Sequence, residues 1–144
     1  ATARNSQKTG TFVTPLPDGS YRVSGKFGPM TDPFTGKERM HKGIDLAASK
    51  GTPVLAVHAG VVTKTVSKIE IGKGNGRYIV IKHSDGLTSR YTQLSKVLVQ
   101  AGEQVDPGDR IGLVGSSGRS TGPHLHFEIW NQDKRVDPEM YITF

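Results

Sequence analysis

The sequence predicts an all-β domain, a compact and mostly antiparallel sheet or sandwich. Eighteen glycines and eight prolines interrupt short apolar runs that are rich in β-branched residues. No stretch of helical length repeats its apolar residues with a period of 3.6, whereas several stretches alternate between apolar and polar residues, as half-buried strands do. Many short strands at close spacing are typical of a sandwich or barrel. The 144 residues suffice for one domain with its own core.

The elements can be assigned in chain order. We expect residues 1–20 to form a lead-in segment of a longer chain and residues 21–144 to form the domain. Residues 53–66 are rich in Val and Thr and are broken at Ala59-Gly60, which predicts two strands. Alternating or β-branched runs predict further strands, and Asp85-Gly86 predicts a hairpin turn between the first two of them. These strands cover residues 77–83, 87–94, 108–115 and 124–130.

Composition excludes several classes of function. The chain has no cysteine, which rules out disulfides, thiolate metal sites and a cysteine nucleophile. Its net charge is +6, but the lysines and arginines are scattered without a run or interleaved aromatic residues, so nucleic-acid binding is not predicted. No stretch approaches the roughly 20 apolar residues that span a bilayer, so no transmembrane segment is predicted in this piece.

The segment TGPHLHFEIW, residues 121–130, places two histidines in one predicted strand. Residues i and i+2 of a strand project from the same face about 6.5–7 Å apart. His124 and His126 therefore share one face, while Leu125 and Phe127 share the other. Two such imidazoles can both approach one metal ion, or one can bind the metal while the other acts on a substrate. A half-exposed strand with two surface histidines is the alternative.

A second candidate cluster lies in MHKGIDLAA, which contains His41 and Asp45. Asp45 lies between Ile44 and Leu46, which indicates partial burial, and a buried carboxylate requires a cation or hydrogen bonds to compensate it. Taken alone, an aspartate that caps a turn explains this pattern better. Together with the histidine pair, however, nitrogen and oxygen ligands with a further position for water match a catalytic zinc site. Such a site activates water and polarises a scissile carbonyl.

Four motifs resemble the lysostaphin/LytM-type peptidoglycan endopeptidases: HKGID, GTPV, STGPHLHFEI and VDP near the C-terminus. The similarity covers nearly the whole chain, and HxxxD followed much later by HxH is a specific combination. The resemblance implies a compact antiparallel β-domain with a groove over one zinc ion. It further implies that His41, Asp45 and His126 bind the zinc, and that His124 is a catalytic residue beside the metal.

One position departs from the family pattern. Relatives carry a Tyr-x-His-Leu motif whose histidine is the second catalytic imidazole, and here the segment is YTQLS, with Gln93 at that position. Glutamine donates or accepts a hydrogen bond but does not transfer a proton near neutral pH. A proton-transfer group typically contributes about 10²–10⁴-fold to a rate. Gln93 is therefore a candidate catalytic residue in a weakened role, and reduced activity is expected.

The loop before the HLH strand is a candidate substrate contact. Its glycines allow a tight turn, and Ser116, Ser120 and Thr121 offer hydroxyls or backbone amides to a peptide. An ordinary polar loop is the alternative.

The sequence thus supports two functions. The first is a zinc-dependent endopeptidase that hydrolyses peptide cross-links of bacterial peptidoglycan, in the extracytoplasmic location that the resemblance implies. The second is a catalytically degenerate zinc-binding module that binds wall peptides or a protein partner and regulates another hydrolase. Gln93 favours the second function, and the intact ligand set opposes it. A biotinyl- or lipoyl-type carrier is disfavoured because no lysine lies at a suitable hairpin tip.

Overall fold

The structure, a computed structural model, describes residues 12–32, 35–68, 76–115 and 122–144. It is built from antiparallel strands, which confirms the predicted fold class. The described strands are β1 (Tyr21–Gly25), β2 (Gly28–Thr31), β3 (Glu38–His41), β4 (Ile44–Ala48), β5 (Pro53–Leu55), β6 (Gly60–Val66), β7 (Arg77–Lys82), β8 (Leu87–Val97), β9 (Gln104–Val105), β10 (Arg110–Val114), β11 (His124–Asn131) and β12 (Lys134–Val136). A short 3₁₀ helix, Pro138–Met140, follows β12. In the described ranges, no helix is long and apolar enough to cross a membrane.

One large sheet organises the described part of the domain. Its main path runs in the order β1-β4-β11-β8-β7-β6-β9, and β12 pairs with β11 beside this path. β10 pairs with both β8 and β5, while β2 and β3 form a separate hairpin. Strand β11 therefore lies between β4 and β8, and β4 is antiparallel to it. This arrangement brings the HKGID and HLH segments side by side although they are far apart in the chain.

The turn between β7 and β8 has the conformation that its sequence predicts. Asp85 and Gly86 both have positive φ, 61° and 78°, the combination that a two-residue hairpin turn requires at its centre. The predicted break in residues 53–66 is also present, because β5 ends at Leu55 and β6 begins at Gly60.

Strand β11 separates the core from the open face of the sheet. Leu125, Phe127 and Ile129 are at most 1% exposed and lie in the hydrophobic core, whereas His124 and His126 on the other face are half-buried. This alternation is the two-residue period of a strand. The core also contains fully buried side chains from the neighbouring strands, among them Ile44, Leu46, Ile79, Ile81, Tyr91 and Leu94.

The segment that precedes β1 packs on the sheet. Leu16 is fully buried in the core, the Val13 N–H donates to the Val57 carbonyl at 2.9 Å, and Pro15 accepts a hydrogen bond from Leu55. The division into a lead-in over 1–20 and a domain over 21–144 stays a prediction. We propose that the folding unit includes the packed residues 12–20.

Candidate metal centre and cleft

The sheet pairing brings three potential metal ligands together. His41 ends β3, Asp45 lies in β4, and His126 lies in β11 directly opposite Asp45 in the register. One nitrogen or oxygen atom from each of the three lies within 4.8 Å of the others. The open face of the sheet therefore carries the nitrogen, oxygen and nitrogen donors that the two sequence motifs contain.

The donor atoms converge on the Asp45 carboxylate. His126 Nδ1 lies 2.6 Å from Asp45 Oδ1, and His41 Nε2 lies 3.1 Å from Asp45 Oδ2. The two imidazole rings are 5.5 Å apart between centroids and are inclined edge to face. Imidazole nitrogens and a carboxylate oxygen are ligands that zinc takes in catalytic sites, where a further position stays open for water. The donor set fits such an ion.

The outward nitrogens of both rings are also occupied. His41 Nδ1 donates to the Lys26 carbonyl at 2.8 Å, and His126 Nε2 donates to Glu128 Oε2 at 2.9 Å. Partners of this kind orient metal-binding histidines and decide which nitrogen carries the proton. They leave His41 Nε2 and His126 Nδ1 as the nitrogens that face Asp45.

The electrostatics of the cluster follow from these hydrogen bonds. Burial alone would raise the pKa of Asp45, but hydrogen bonds from His126 and His41 hold it far below its ordinary value. Burial lowers the pKa of His126, but hydrogen bonds to Asp45 and Glu128 outweigh burial and raise this pKa to about 9. The hydrogen bond with Asp45 likewise raises the pKa of His41. The carboxylate is thus ionised, as a metal ligand must be.

A glycine in the HKGID motif allows the strands to approach closely. A Cβ atom on Gly43 would lie 2.9 Å from Glu128 Cγ and 3.0 Å from His126 Cε1, and it would also collide with the Phe127 carbonyl. Real Cβ atoms do not approach backbone oxygens so closely, so position 43 has room only for glycine. The motif therefore contains a packing requirement in addition to its two candidate ligands.

His124 lies beside the candidate ligands at the wall of a cleft. Its Nδ1 donates to the Gly122 carbonyl at 3.0 Å, so the lone pair of the neutral ring is on Nε2. The cleft has a volume of about 450 Å³ and is lined by Arg22, Ser24, Asp45, Ala47, Gly122, Pro123 and His124. A second cleft of about 520 Å³, lined in part by His58 and His83, shares no residue with it.

Gln93 lies at a break in the sheet close to His124. Strand β8 pairs with β11 as far as Thr92 and with β10 from Leu94 onward, and Gln93 at this junction has a φ of 68°. The Gly115 N–H donates to the Gln93 carbonyl, and the Gly115 carbonyl accepts from the His124 N–H, each at 3.1 Å. A non-glycine residue with positive φ is uncommon and such outliers cluster at functional sites.

The other predicted contacts have separate outcomes. Ser116, Ser120 and Thr121 lie outside the described residues, so their contact with substrate stays a prediction. Glu128 was missed by the sequence analysis, although its position two residues after His126 places it on the same face of β11. His58 is 7% exposed and stacks on Phe12 with ring centroids 4.5 Å apart.

Taken together, the fold and the site define an antiparallel β-domain with a candidate metal centre on the open face of its sheet. The sequence model of Peptidase family M23 matches residues 39–138, and the chain belongs to this family. This result confirms the resemblance to the lysostaphin/LytM-type enzymes.

Individual relatives show how far the similarity extends. An uncharacterised metalloprotease of Buchnera aphidicola is 43% identical over 124 residues, which cover 85% of this chain and 32% of the relative. The peptidoglycan DD-endopeptidase ShyC of Vibrio cholerae is 43% identical over 75% of this chain and 24% of its own length. The chain thus spans about a third or less of these relatives.

Solved structures agree with the assignment. A zinc-containing peptidase from Vibrio cholerae superposes with a TM-score of 0.78 and 35% identity, over 88% of this chain and 39% of that one. The catalytic domain of lysostaphin from Staphylococcus simulans gives a TM-score of 0.72 and 33% identity, over 84% and 91% of the two chains. A chain in the SpoIIQ–SpoIIIAH pore-forming complex gives 0.74 and 25%, over 92% and 90%.

Proposed function

We propose that this domain is a zinc-dependent endopeptidase that hydrolyses peptide cross-links of bacterial peptidoglycan outside the cytoplasm. The observation that carries the proposal is the convergence of the three donor atoms within 4.8 Å beside an open cleft. Membership of a peptidase family supports it, as does the peptidoglycan activity named for ShyC.

The side chains around the cleft can take different roles in hydrolysis. His41 Nε2, Asp45 and His126 Nδ1 would hold a zinc ion, which supplies an activated water and polarises the scissile carbonyl. His124 presents Nε2 for exchanging a proton or donating a hydrogen bond to a developing oxyanion. Arg22 adds a positive charge at the cleft wall. Substrate contacts from Ser116, Ser120 and Thr121 remain part of the proposal.

Gln93 supports a second candidate function for this domain. Its amide can position a water or an oxyanion through hydrogen bonds but does not accept a proton near neutral pH. Should the chemistry require a base at this position, the domain would be a degenerate zinc-binding module that binds wall peptides or a protein partner. The similarity to a chain in the SpoIIQ–SpoIIIAH complex is consistent with this alternative.

Cleavage of purified cross-linked peptidoglycan fragments with added zinc tests both functions. The assay counts new amine ends produced by the wild type, Asp45→Ala and Gln93→His. We expect cleavage by the wild type, none by Asp45→Ala, and an increase on the order of 10²-fold for Gln93→His, because an imidazole restores proton transfer. Histidine is among the residue types that tolerate positive φ, so the substitution is compatible with the backbone at position 93.

The outcomes separate the two functions. Activity in Gln93→His alone would show that glutamine disables an otherwise complete site, and the degenerate module would then replace the enzyme. Product from Asp45→Ala at the wild-type rate would refute the metal-site assignment. If neither the wild type nor Gln93→His cleaves any cross-link type, the peptidase proposal fails.

A further inference from the structure

We propose that Glu128 is a positioning residue for the metal ligand His126, and that Trp130 and Arg135 hold Glu128 in place for this task. The inference rests on the proposed metal site and deepens it. It assigns a role to a buried carboxylate that lies outside the HxxxD and HxH ligand patterns.

Both oxygens of the Glu128 carboxylate are used, and for different purposes. Oε2 accepts the His126 Nε2–H at 2.9 Å. Oε1 accepts two bonds, from Trp130 Nε1 at 2.8 Å and from Arg135 Nε at 3.1 Å. Glu128 is 6% exposed, and a carboxylate this buried is costly unless hydrogen bonds and a cation compensate it. Trp130 and Arg135 supply that compensation through one oxygen, so the other is left for the imidazole.

The hydrogen bond from His126 decides which of its nitrogens can bind metal. An ionised carboxylate only accepts hydrogen bonds, so His126 must carry a proton on Nε2 toward Glu128. Its Nδ1, which donates to Asp45 Oδ1 at 2.6 Å, is then the nitrogen that gives up its proton when a metal binds. Without Glu128 the ring could adopt either tautomer, and nothing on its outer side would fix its rotation.

A stack of cations and aromatic rings restrains the supports of Glu128. The Arg135 guanidinium lies 4.2 Å from the centroid of the Trp130 ring, and that of Arg90 lies 5.2 Å from the same ring. Arg135 lies opposite Trp130 in the strand register, and Arg90 lies opposite Glu128. Cation–π contacts of this kind attract both guanidinium groups to the indole ring. They keep the indole N–H directed at Glu128.

A purely structural role explains this arrangement less well. A buried ion pair is often no more stable than well-packed apolar residues of the same volume, so stability alone does not require a glutamate here. The Arg135 side chain is 32% exposed, and an ion pair with it occupies only Oε1. The second oxygen contacts a candidate metal ligand, which is the function that an apolar residue cannot replace.

Zinc affinity of the purified domain, measured by competition with a chromophoric chelator, tests the inference. We expect Glu128→Gln to weaken zinc binding by about 10–100-fold, the usual effect of losing such a partner. Its amide oxygen accepts from Trp130 and Arg135, which turns the NH2 group, a donor, toward His126 Nε2. Arg135→Gln should weaken zinc binding by a smaller factor. Lys134→Gln, at an exposed neighbour on the same strand, is the matched control and should bind like the wild type.

Two further measurements distinguish positioning from stability. Nitrogen-15 spectra of the histidine rings should show His126 protonated at Nε2 in the zinc-loaded wild type, and a loss of this slowly exchanging proton in Glu128→Gln. Urea unfolding in EDTA reports whether each variant folds without metal. If Glu128→Gln does not fold, the comparison of Arg135→Gln with Lys134→Gln decides the question.

The experiments distinguish a failure of the proposed metal site from a failure of the positioning role. A wild type that binds no zinc would refute the proposed metal site itself. A wild type that binds zinc, with folded Glu128→Gln and Arg135→Gln variants of equal affinity, would overturn the positioning role and leave the proposed function intact.

Discussion

Protonation of His83 should destabilise this fold strongly, because the residue ends a buried chain of hydrogen bonds. The Val57 N–H donates to the Tyr91 hydroxyl, which lies 2.7 Å from Ser89 Oγ, and Ser89 Oγ lies 2.8 Å from His83 Nε2. His83 Nδ1 donates to the Ala59 carbonyl at 2.8 Å. With a neutral ring, Ser89 donates to Nε2 and Tyr91 donates to Ser89, so the chain is consistent throughout.

A proton on Nε2 would reverse this order. Ser89 would have to donate toward Tyr91, whose other partner, the Val57 N–H, is itself a donor. Burial lowers the pKa of His83 to about 4 from its ordinary value of 6.5. This difference corresponds to about 3 kcal/mol. Because the folded-state pKa is depressed, His83 contributes this stability above about pH 6.5 and loses it as the pH falls toward about 4.

Urea unfolding of the wild type and of His83→Gln, both in EDTA, measures this effect. The amide of the variant does not titrate, so the wild-type stability relative to His83→Gln should fall by about 3 kcal/mol between about pH 7 and about pH 4. Titration of other groups contributes equally to both proteins and cancels in the difference between their unfolding free energies. The control variant Lys82→Gln, at the exposed neighbour of His83, should show the same dependence of stability on pH as the wild type. A pH-independent difference between wild type and His83→Gln would refute the reasoning.

Three other substitutions probe the packing around the site. Gly43→Ala should cost about 1–3 kcal/mol in urea unfolding and weaken zinc binding, because its methyl group meets the Phe127 carbonyl; wild-type values in both assays would contradict the close approach. Tyr91→Phe removes the acceptor of the Val57 N–H and should cost about 1–3 kcal/mol, and an unchanged unfolding midpoint would argue against the buried chain. Leu125→Ala should cost about 2–5 kcal/mol in urea unfolding because the side chain is fully buried. The variant that remains folded should bind zinc with wild-type affinity. A loss of zinc binding by the folded variant would mean that the two faces of β11 are not independent.

Local patterns were sufficient for the strands and their faces. The alternation in HLHFEIW predicts both the strand β11 and the division of its residues, with Leu125 and Phe127 in the core and the histidines opposite. Asp85-Gly86 predicts the turn between β7 and β8 because few residue pairs adopt positive φ at both positions. These features depend on residues adjacent in the chain, so a single sequence contains the information.

These local patterns do not predict which distant strands pair or in which register. Asp45 and His126 are 81 positions apart, and their contact depends on β4 pairing with β11 in one particular register. A shift by one residue would turn every side chain of β4 to the other face. The residue types of HxxxD and HxH are compatible with one zinc site, and the family resemblance implies that the two patterns meet, but neither gives the strand register that brings them together. The hydrogen bonds of Glu128 with Trp130 and Arg135 likewise depend on the β11–β12 pairing.

By itself, the sequence determined the all-β class, the residue types of a candidate zinc site and the departure at Gln93, because composition and two-residue periodicity are local properties. Only the tertiary structure decided which imidazole nitrogens face Asp45, why position 43 is glycine, and where Gln93 lies relative to His124. The physical reason is that these properties arise between strands that meet through sheet pairing. In that pairing, backbone hydrogen bonds and core burial set distances that no single stretch of the chain encodes.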